Sequence, residues 1–195
     1  MAYSEVRTTC SIDKDWTENA ISEALKESIN KNDVTVRMLI TAEVEVRQLP
    51  TDLSMMPSKV DDAPRIDIKV GGFDTGKETP SRVCYYMEAK NLYANDFQKT
   101  NHLSYVSSTH YAKRYISTGI DHLLSGYYPE NTMLLGYVLV GTVHDAVYKV
   151  NQNLVNDSRG TESIKLQVYE EFPALVLGVS AHPNGMGLDH CFLQF

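Results

Sequence analysis

Apolar positions recur along this chain with two periods, and the switches between them mark out the elements. From Trp16 to Ile29, apolar and small residues fall at Trp16, Ala20, Ile21, Ala24, Leu25, Ser28 and Ile29. That spacing lays one stripe along a helix. Asp15 stands ahead of it as a cap, with Glu18 three positions on as in a capping box. Val34, Val36, Met38, Ile40, Ala42, Val44 and Val46 then alternate with Thr35, Arg37, Leu39, Thr41, Glu43 and Glu45. Period two predicts a strand with one buried face, bent or broken because it is long. Pro50, Pro57 and Pro64 bracket a loop rich in Ser and Asp.

Arg65 to Val70 reads as a short strand, with Ile66, Ile68 and Val70 on one face and Arg65, Asp67 and Lys69 on the other. Gly71, Gly72, Gly76 and Pro80 make a long hairpin connection. Arg82 to Lys90 is the next strand, setting Val83, Tyr85, Met87 and Ala89 opposite Cys84, Tyr86, Glu88 and Lys90. A helical region, in one or two pieces, is expected from Asn95 to Leu124, ending at Gly126 and Pro129. Met133 to Gly141 is nearly all apolar, as in a strand buried on both faces. Val143 to Val155 reads as a helix, and Phe172 to Val179 and Cys191 to Phe195 as strands. This alternation predicts an α/β fold with a mixed sheet.

Composition narrows the picture. The 195 residues fit one domain, 43% hydrophobic and 22% charged, which is globular composition. No run approaches the length of a membrane-spanning helix, and Met1-Ala-Tyr-Ser-Glu5 has no secretory pattern. Cys10, Cys84 and Cys191 are odd in number and far apart, so neither a disulfide framework nor a zinc ribbon is expected and a cytoplasmic setting fits. The net charge is −7, which disfavours a general nucleic-acid binder. Between Pro64 and Arg114, however, eight basic residues face five acidic ones. Either this is local fluctuation or the middle of the chain faces an anion.

Two acid-x-Lys triplets lie in the consecutive predicted strands: Asp67-Ile68-Lys69 and Glu88-Ala89-Lys90. Strand alternation places Glu88 and Lys90 on one face, and pairing of the strands would bring Asp67 to them. Carboxylates in such a group suit a hard divalent cation with oxygen ligands. Arg65-Ile-Asp67-Ile followed by Tyr85-Tyr-Met-Glu88-Ala-Lys90-Asn-Leu92 resembles the PD-(D/E)XK nuclease superfamily. The residue before Asp67 is Ile66 rather than proline, with Pro64 upstream. The resemblance covers roughly residues 15 to 141, with residues 142 to 195 added as a helix and strands. Tyr111 to Gly119, Gly126-Tyr-Tyr and Leu135 to Leu139 are similar to the region after the active site in bacterial defence nucleases, and the tail around His182 and His190 more loosely so.

The resemblance implies a restriction-endonuclease-like core of helix, three-strand meander, helix and strand, with helices on both sides of a mixed central sheet. It implies Mg²⁺- or Mn²⁺-dependent cleavage of nucleic acid, DNA above all, in bacterial defence or restriction. Asp67, Glu88 and Lys90 would be catalytic. Asp67, Glu88 and the Ala89 carbonyl would hold the metal, with Glu18, Glu43 or Glu45 as sources of a further carboxylate. Lys90 would orient the attacking water and offset charge on the phosphate. So short a chain leaves specificity to a partner such as a helicase or ATPase, or to a homo-oligomer, and a non-catalytic or partner-activated subunit is the alternative. No membrane is expected as a partner. Lys69 reads as solvated or phosphate-facing. Lys113 and Tyr115 are candidates for a DNA groove, against a plain amphipathic helix. His182, His190 and Cys191 match no zinc spacing, and Cys84 has no histidine placed to activate it.

Overall fold

The computed structural model describes residues 2–47, 65–74, 81–100, 104–129, 132–168 and 175–195. The proline-rich loop expected around Pro50, Pro57 and Pro64 lies outside these residues, as do Gly76, Pro80 and Phe172. An N-terminal helix α1 (Ala2–Thr9) packs through Val6 on α2 (Glu18–Lys31). The stripe of α2 follows the predicted one at Ile21, Leu25 and Ser28, which are buried, but Ala20 is exposed and Ser22 is buried instead. Its cap is Thr17 rather than Asp15: the Thr17 hydroxyl accepts the Ala20 N–H at 3.2 Å. Asp15 instead accepts the Thr100 N–H at 3.1 Å.

The long alternating segment is not one strand. Asp33–Arg37 forms a short helix, α3, capped by Asn32, and Leu39 follows at φ 54°. Val34, Val36 and Met38 are exposed, so their alternation reports no buried face. Strand β1 (Thr41–Arg47) begins only where the Asn30 amide clasps the Ala42 backbone, donating to its carbonyl at 2.9 Å and accepting its N–H at 2.8 Å. A side-chain amide here imitates a neighbouring peptide.

β2 (Arg65–Asp74) and β3 (Ser81–Tyr93) complete an antiparallel meander with β1. The next segment is not helical from Asn95. Phe97–Gln98 (β4) and Tyr105–Val106 (β5) pair first, while Asp96 accepts from the Ser108 N–H and the Tyr105 hydroxyl. Helix α4 (Ser108–Arg114) then runs through a π-helical turn (Tyr115–Ile120) into α5 (Asp121–Leu124). β6 (Thr132–Val140) lies parallel to β3 and is followed by α6 (Val143–Asn156). A 3₁₀ turn (Gly160–Glu162), β7 (Lys165–Val168), β8 (Val176–Ala181) and β9 (Gly187–Gln194) complete the order.

Among the described residues, seven strands form one mixed sheet in the order β1-β2-β3-β6-β9-β8-β7. The β3–β6 and β6–β9 pairs are parallel, and the other four are antiparallel. β6 is buried on both faces, as its apolar run predicts: Leu134 and Val138 enter one apolar cluster, Leu135, Tyr137 and Leu139 the other. The first cluster lies under α4, the π turn, α5 and α6, and the second under α1 and α2. The sheet is thus the middle of three layers. Ile66 and Ile68, expected on one face, join opposite clusters, because β2 leaves β3 between them.

A buried chain of side-chain hydrogen bonds ties the π turn to the far half of the sheet. The Tyr115 hydroxyl meets His190 Nδ1, His190 Nε2 meets Ser180 Oγ, and Ser180 Oγ meets His182 Nε2, each at 2.8 Å. His182 Nδ1 reaches Glu162 at 2.5 Å. Arg159 grips Glu162 with two nitrogens and reaches Asp121 at 2.8 Å. Burial holds His190 down at about 3, hence neutral. Neutral His190 carries one proton between the Tyr115 hydroxyl and Ser180 Oγ, so each of its ring nitrogens has a partner. Both ends of the π turn are therefore anchored, at Tyr115 and at Asp121.

Two substitutions test this packing. A Cβ at Gly136, in the middle of β6, would sit 2.6 Å from the Phe192 ring. Gly136→Ala is expected to lower the stability measured by urea unfolding by about 1–3 kcal/mol. Ser180→Ala removes the link between two buried histidines and is expected to cost about 2–3 kcal/mol in the same measurement.

Candidate active site

β3 outlasts its neighbour. The β2–β3 ladder stops at Ile68–Met87, while β2 continues to pair with β1 as far as Arg65. On its other side β3 is joined by β6 from Tyr86 onward, and its side chains are buried from Glu88. The strands therefore fork, and a buried stretch of β3 has one open edge. Residues two apart on a strand present their N–H groups to the same edge. Here those groups belong to Ala89 and Asn91, and both are taken by carboxylates. Asp67 Oδ2 accepts the Ala89 N–H at 2.7 Å, and Glu18 Oε1 accepts the Asn91 N–H at 2.9 Å. The Asn91 amide donates to the Trp16 carbonyl at 3.0 Å and so fixes the start of α2, and Glu18 with it.

Glu88 and Lys90 project from one face of β3, and each is only 5% exposed. The Lys90 ammonium donates to Glu88 Oε1 and, at 3.0 Å, to the Ala89 carbonyl. Among the described residues Glu88 Oε2 has no partner, although it is buried. Burial pushes the Glu88 carboxyl up to about 7, the charge of Asp67 adds to that, and Lys90 opposes it. Burial also raises Asp67, against the pull of Lys90 and the Ala89 N–H.

The opposite wall of the cleft is helical. Arg114, Thr118 and His122 line it, four residues apart along α4, the π turn and α5, and Tyr127 and Tyr128 follow. Arg114 pairs with Glu18 Oε2 at 3.0 Å. The His122 ring lies 4.8 Å from that of Tyr127, and its Nδ1 is buried with no partner among the described residues. Tyr128 is buried beside Glu88, and burial and that charge raise its phenol. Arg65 completes the rim from the start of β2.

Asp67, Glu88, Ala89 and Lys90 thus meet as their strands imply, and Glu18 joins them from α2. Glu43 does not line the cleft: it is exposed on β1, 3.5 Å from Lys69. Glu45, at φ 50°, accepts from Asn19 at 2.6 Å and shares a small adjoining hollow with Asp67. Tyr115 is fully buried, which removes it from any groove, and Lys113 is exposed outside the cleft lining. Arg65, Arg114, Thr118 and Tyr128 lie within the segments that carry the resemblance but are not singled out by it as site residues, and His122 lies outside those segments. The four-residue spacing of the polar positions 114, 118 and 122 was the available signal.

Among the described residues no three His, Cys, Asp or Glu side chains gather as a metal cage. The donors that do meet are the Asp67 and Glu88 carboxylates and the Ala89 carbonyl. They offer oxygen alone, one of them buried and unpartnered, which fits Mg²⁺ or Mn²⁺. A cation there would compete with Lys90 for Glu88 and the Ala89 carbonyl.

The raised Glu88 carboxyl has a consequence for stability. Its folded-state value lies above its unfolded one, so its contribution is full at low pH and is lost as pH rises through about 7. In metal-free buffer, the stability of Glu88→Gln relative to wild type is expected to improve by roughly 2–3 kcal/mol between about pH 5 and about pH 8. Urea unfolding of both proteins across that range checks it. A search for related sequences and structures finds no matching family model, no matching curated protein and no matching solved structure.

Proposed function

We propose that this protein is a metal-dependent nuclease of the PD-(D/E)XK type that hydrolyses phosphodiester bonds, DNA being the expected substrate and bacterial defence or restriction the setting. The observation that carries the reading is the fork between β2 and β3. It gathers Asp67, Glu88, the Ala89 carbonyl and Lys90 in one cleft that also opens to Arg65 and Arg114. The order α2, β1-β2-β3 meander, α4-to-α5 helical layer and β6 parallel to β3 supports a restriction-endonuclease-like core.

A divalent cation, when bound, would activate water and polarise the phosphoryl group. Asp67, Glu88 and the Ala89 carbonyl would hold it. Lys90, once released from Glu88, would orient the attacking water and offset charge growing on the phosphate. Arg114 and Arg65, on the two rims, would grip the phosphate oxygens. Glu18 sets the angle of Arg114 through their ion pair. The new bond would join the water oxygen to phosphorus as the bond to the leaving 3′-oxygen breaks, the water giving up a proton to solvent and the leaving oxygen taking one up.

A partner-dependent interaction subunit is the second reading, and one observation favours it. Val36, Met38, Leu39, Phe73 and Tyr85 are all more than half exposed, and Met38, Phe73 and Tyr85 line one shallow groove at the β1–β2–β3 side. Apolar surface of this kind marks contact with another protein. A helicase or ATPase of a defence complex would fit there.

The test is cleavage of supercoiled, linear and single-stranded DNA and of RNA with Mg²⁺ or Mn²⁺, with EDTA controls. Lys90→Ala and Glu88→Ala are each expected to reduce the rate by roughly 10²-fold or more. Circular dichroism melting must show both variants folded. Cutting that survives both substitutions sinks the nuclease reading.

A further inference from the structure

A groove larger than the catalytic cleft adjoins it through Tyr128, which lines both. It has a volume of about 630 Å³ and opens at the starts of β6 and β9, beside the point where β6 joins β3. Tyr85, Tyr86 and Tyr128 supply aromatic surface, and Met133 and Leu188 supply aliphatic surface. Tyr127, on the cleft side, packs edge-on against Tyr128 with ring centres 5.0 Å apart. Tyr127 and Tyr128 thus lead from the cleft to Tyr86 on the same side of the sheet, while Tyr85 reaches the groove from the opposite face of β3, where it also borders Met38 and Phe73.

Two further observations point to what the groove takes. The Thr132 hydroxyl lines it, is part of a residue only 7% exposed, and has no hydrogen-bond partner among the described residues. A buried hydroxyl without a partner is costly unless a ligand supplies one. The charge pattern also divides the two spaces. Asp189 is the one charged residue among those described in the groove lining, while Arg65, Lys90 and Arg114 stand in the cleft. The groove therefore suits a flat, neutral ring with polar edges, and the cleft suits the anion attached to it.

We infer that the groove is a nucleobase subsite, so that the substrate carries an unpaired nucleotide beside the phosphate in the cleft; this rests on the nuclease reading. A base leaving a duplex would have to unstack, whereas in a single strand its face is available to the tyrosines. The electrostatics agree. Duplex binding draws on many Lys and Arg contacts to phosphate, but here Glu18, Asp67 and Glu88 match the three cations of the cleft. The whole chain carries −7. Affinity then comes from stacking, with few phosphate contacts.

The experiment measures fluorescence anisotropy of labelled oligo(dT) and of a duplex of equal length, with Mg²⁺, on a Lys90→Ala background so that bound strands stay whole. Oligo(dT) is expected to bind more tightly than duplex. Tyr85→Ala, at a residue 57% exposed and so safe for folding, should weaken oligo(dT) by about tenfold, and Thr132→Val by a few fold, with duplex binding unchanged. Tighter binding of duplex, or oligo(dT) binding indifferent to both substitutions, overturns the subsite. Cleavage by the protein with Lys90 intact separates this from the nuclease reading. Cutting of duplex that ignores Tyr85 and Thr132 removes the subsite and keeps the nuclease. Tyr85-dependent binding of oligo(dT) without cutting of any strand does the reverse.

Discussion

A strand that runs further than its neighbour has to find acceptors for the N–H groups along its exposed edge. In this protein the strand is β3, the edge is buried, and the acceptors are the carboxylates of Asp67 and Glu18. Much of the site follows from that. Two acids are drawn into the sheet by backbone hydrogen bonds, and Glu88 adds a third from the face of β3. Taking charge out of water is costly unless it is paired, so Lys90 is bound to Glu88 and Arg114 to Glu18. The cleft opens because β2 peels away, and it is charged because something must replace β2.

The rest of the fold holds this unfavourable arrangement in place. β6 pairs with β3 along the very stretch that carries Glu88 and Lys90, and its own side chains fill both apolar clusters. Across the cleft stands a π turn, a conformation that is rare and marginal and is often found at functional sites. Its two ends are held by a chain, buried from Tyr115 through His190, Ser180 and His182 to Glu162, that continues through Arg159 to Asp121. The last two strands and the 3₁₀ turn thereby support a wall of the cleft without entering it. Arg114, Thr118 and His122 face the acids because that wall is pinned at Tyr115 and Asp121.

Period-two alternation located the core strands in sequence because their burial is one-sided or complete. It misled at Val34 to Met38, where alternation arises without burial and the Asn32 cap decides the conformation. It also gave no sign of β4 and β5, which are two residues each, or of β7. Asp67, Glu88 and Lys90 could be read because triplets on adjacent strands converge by geometry alone. Glu18 was legible only as a helix-start residue with two roles in view, and its reach to Asn91 depends on how α2 docks. Arg65, His122 and Tyr128 depend on the fork and on the π turn, and neither is written in local periodicity.

The pairing inside the cleft also links the two ligands that the nuclease reading calls for. Lys90 is held by Glu88 and the Ala89 carbonyl, and Arg114 by Glu18. A cation taking the Glu88 and Ala89 oxygens would release Lys90 toward the cleft, where it becomes available to a phosphate. A phosphate drawing Lys90 away would in turn leave Glu88 and the Ala89 carbonyl to the cation. Each ligand relieves a contact that opposes the other, and such coupling is reciprocal by thermodynamic necessity. In the nuclease reading an acidic protein would serve an anionic substrate in this way, Lys90 staying paired with Glu88 until a cation took over that carboxylate.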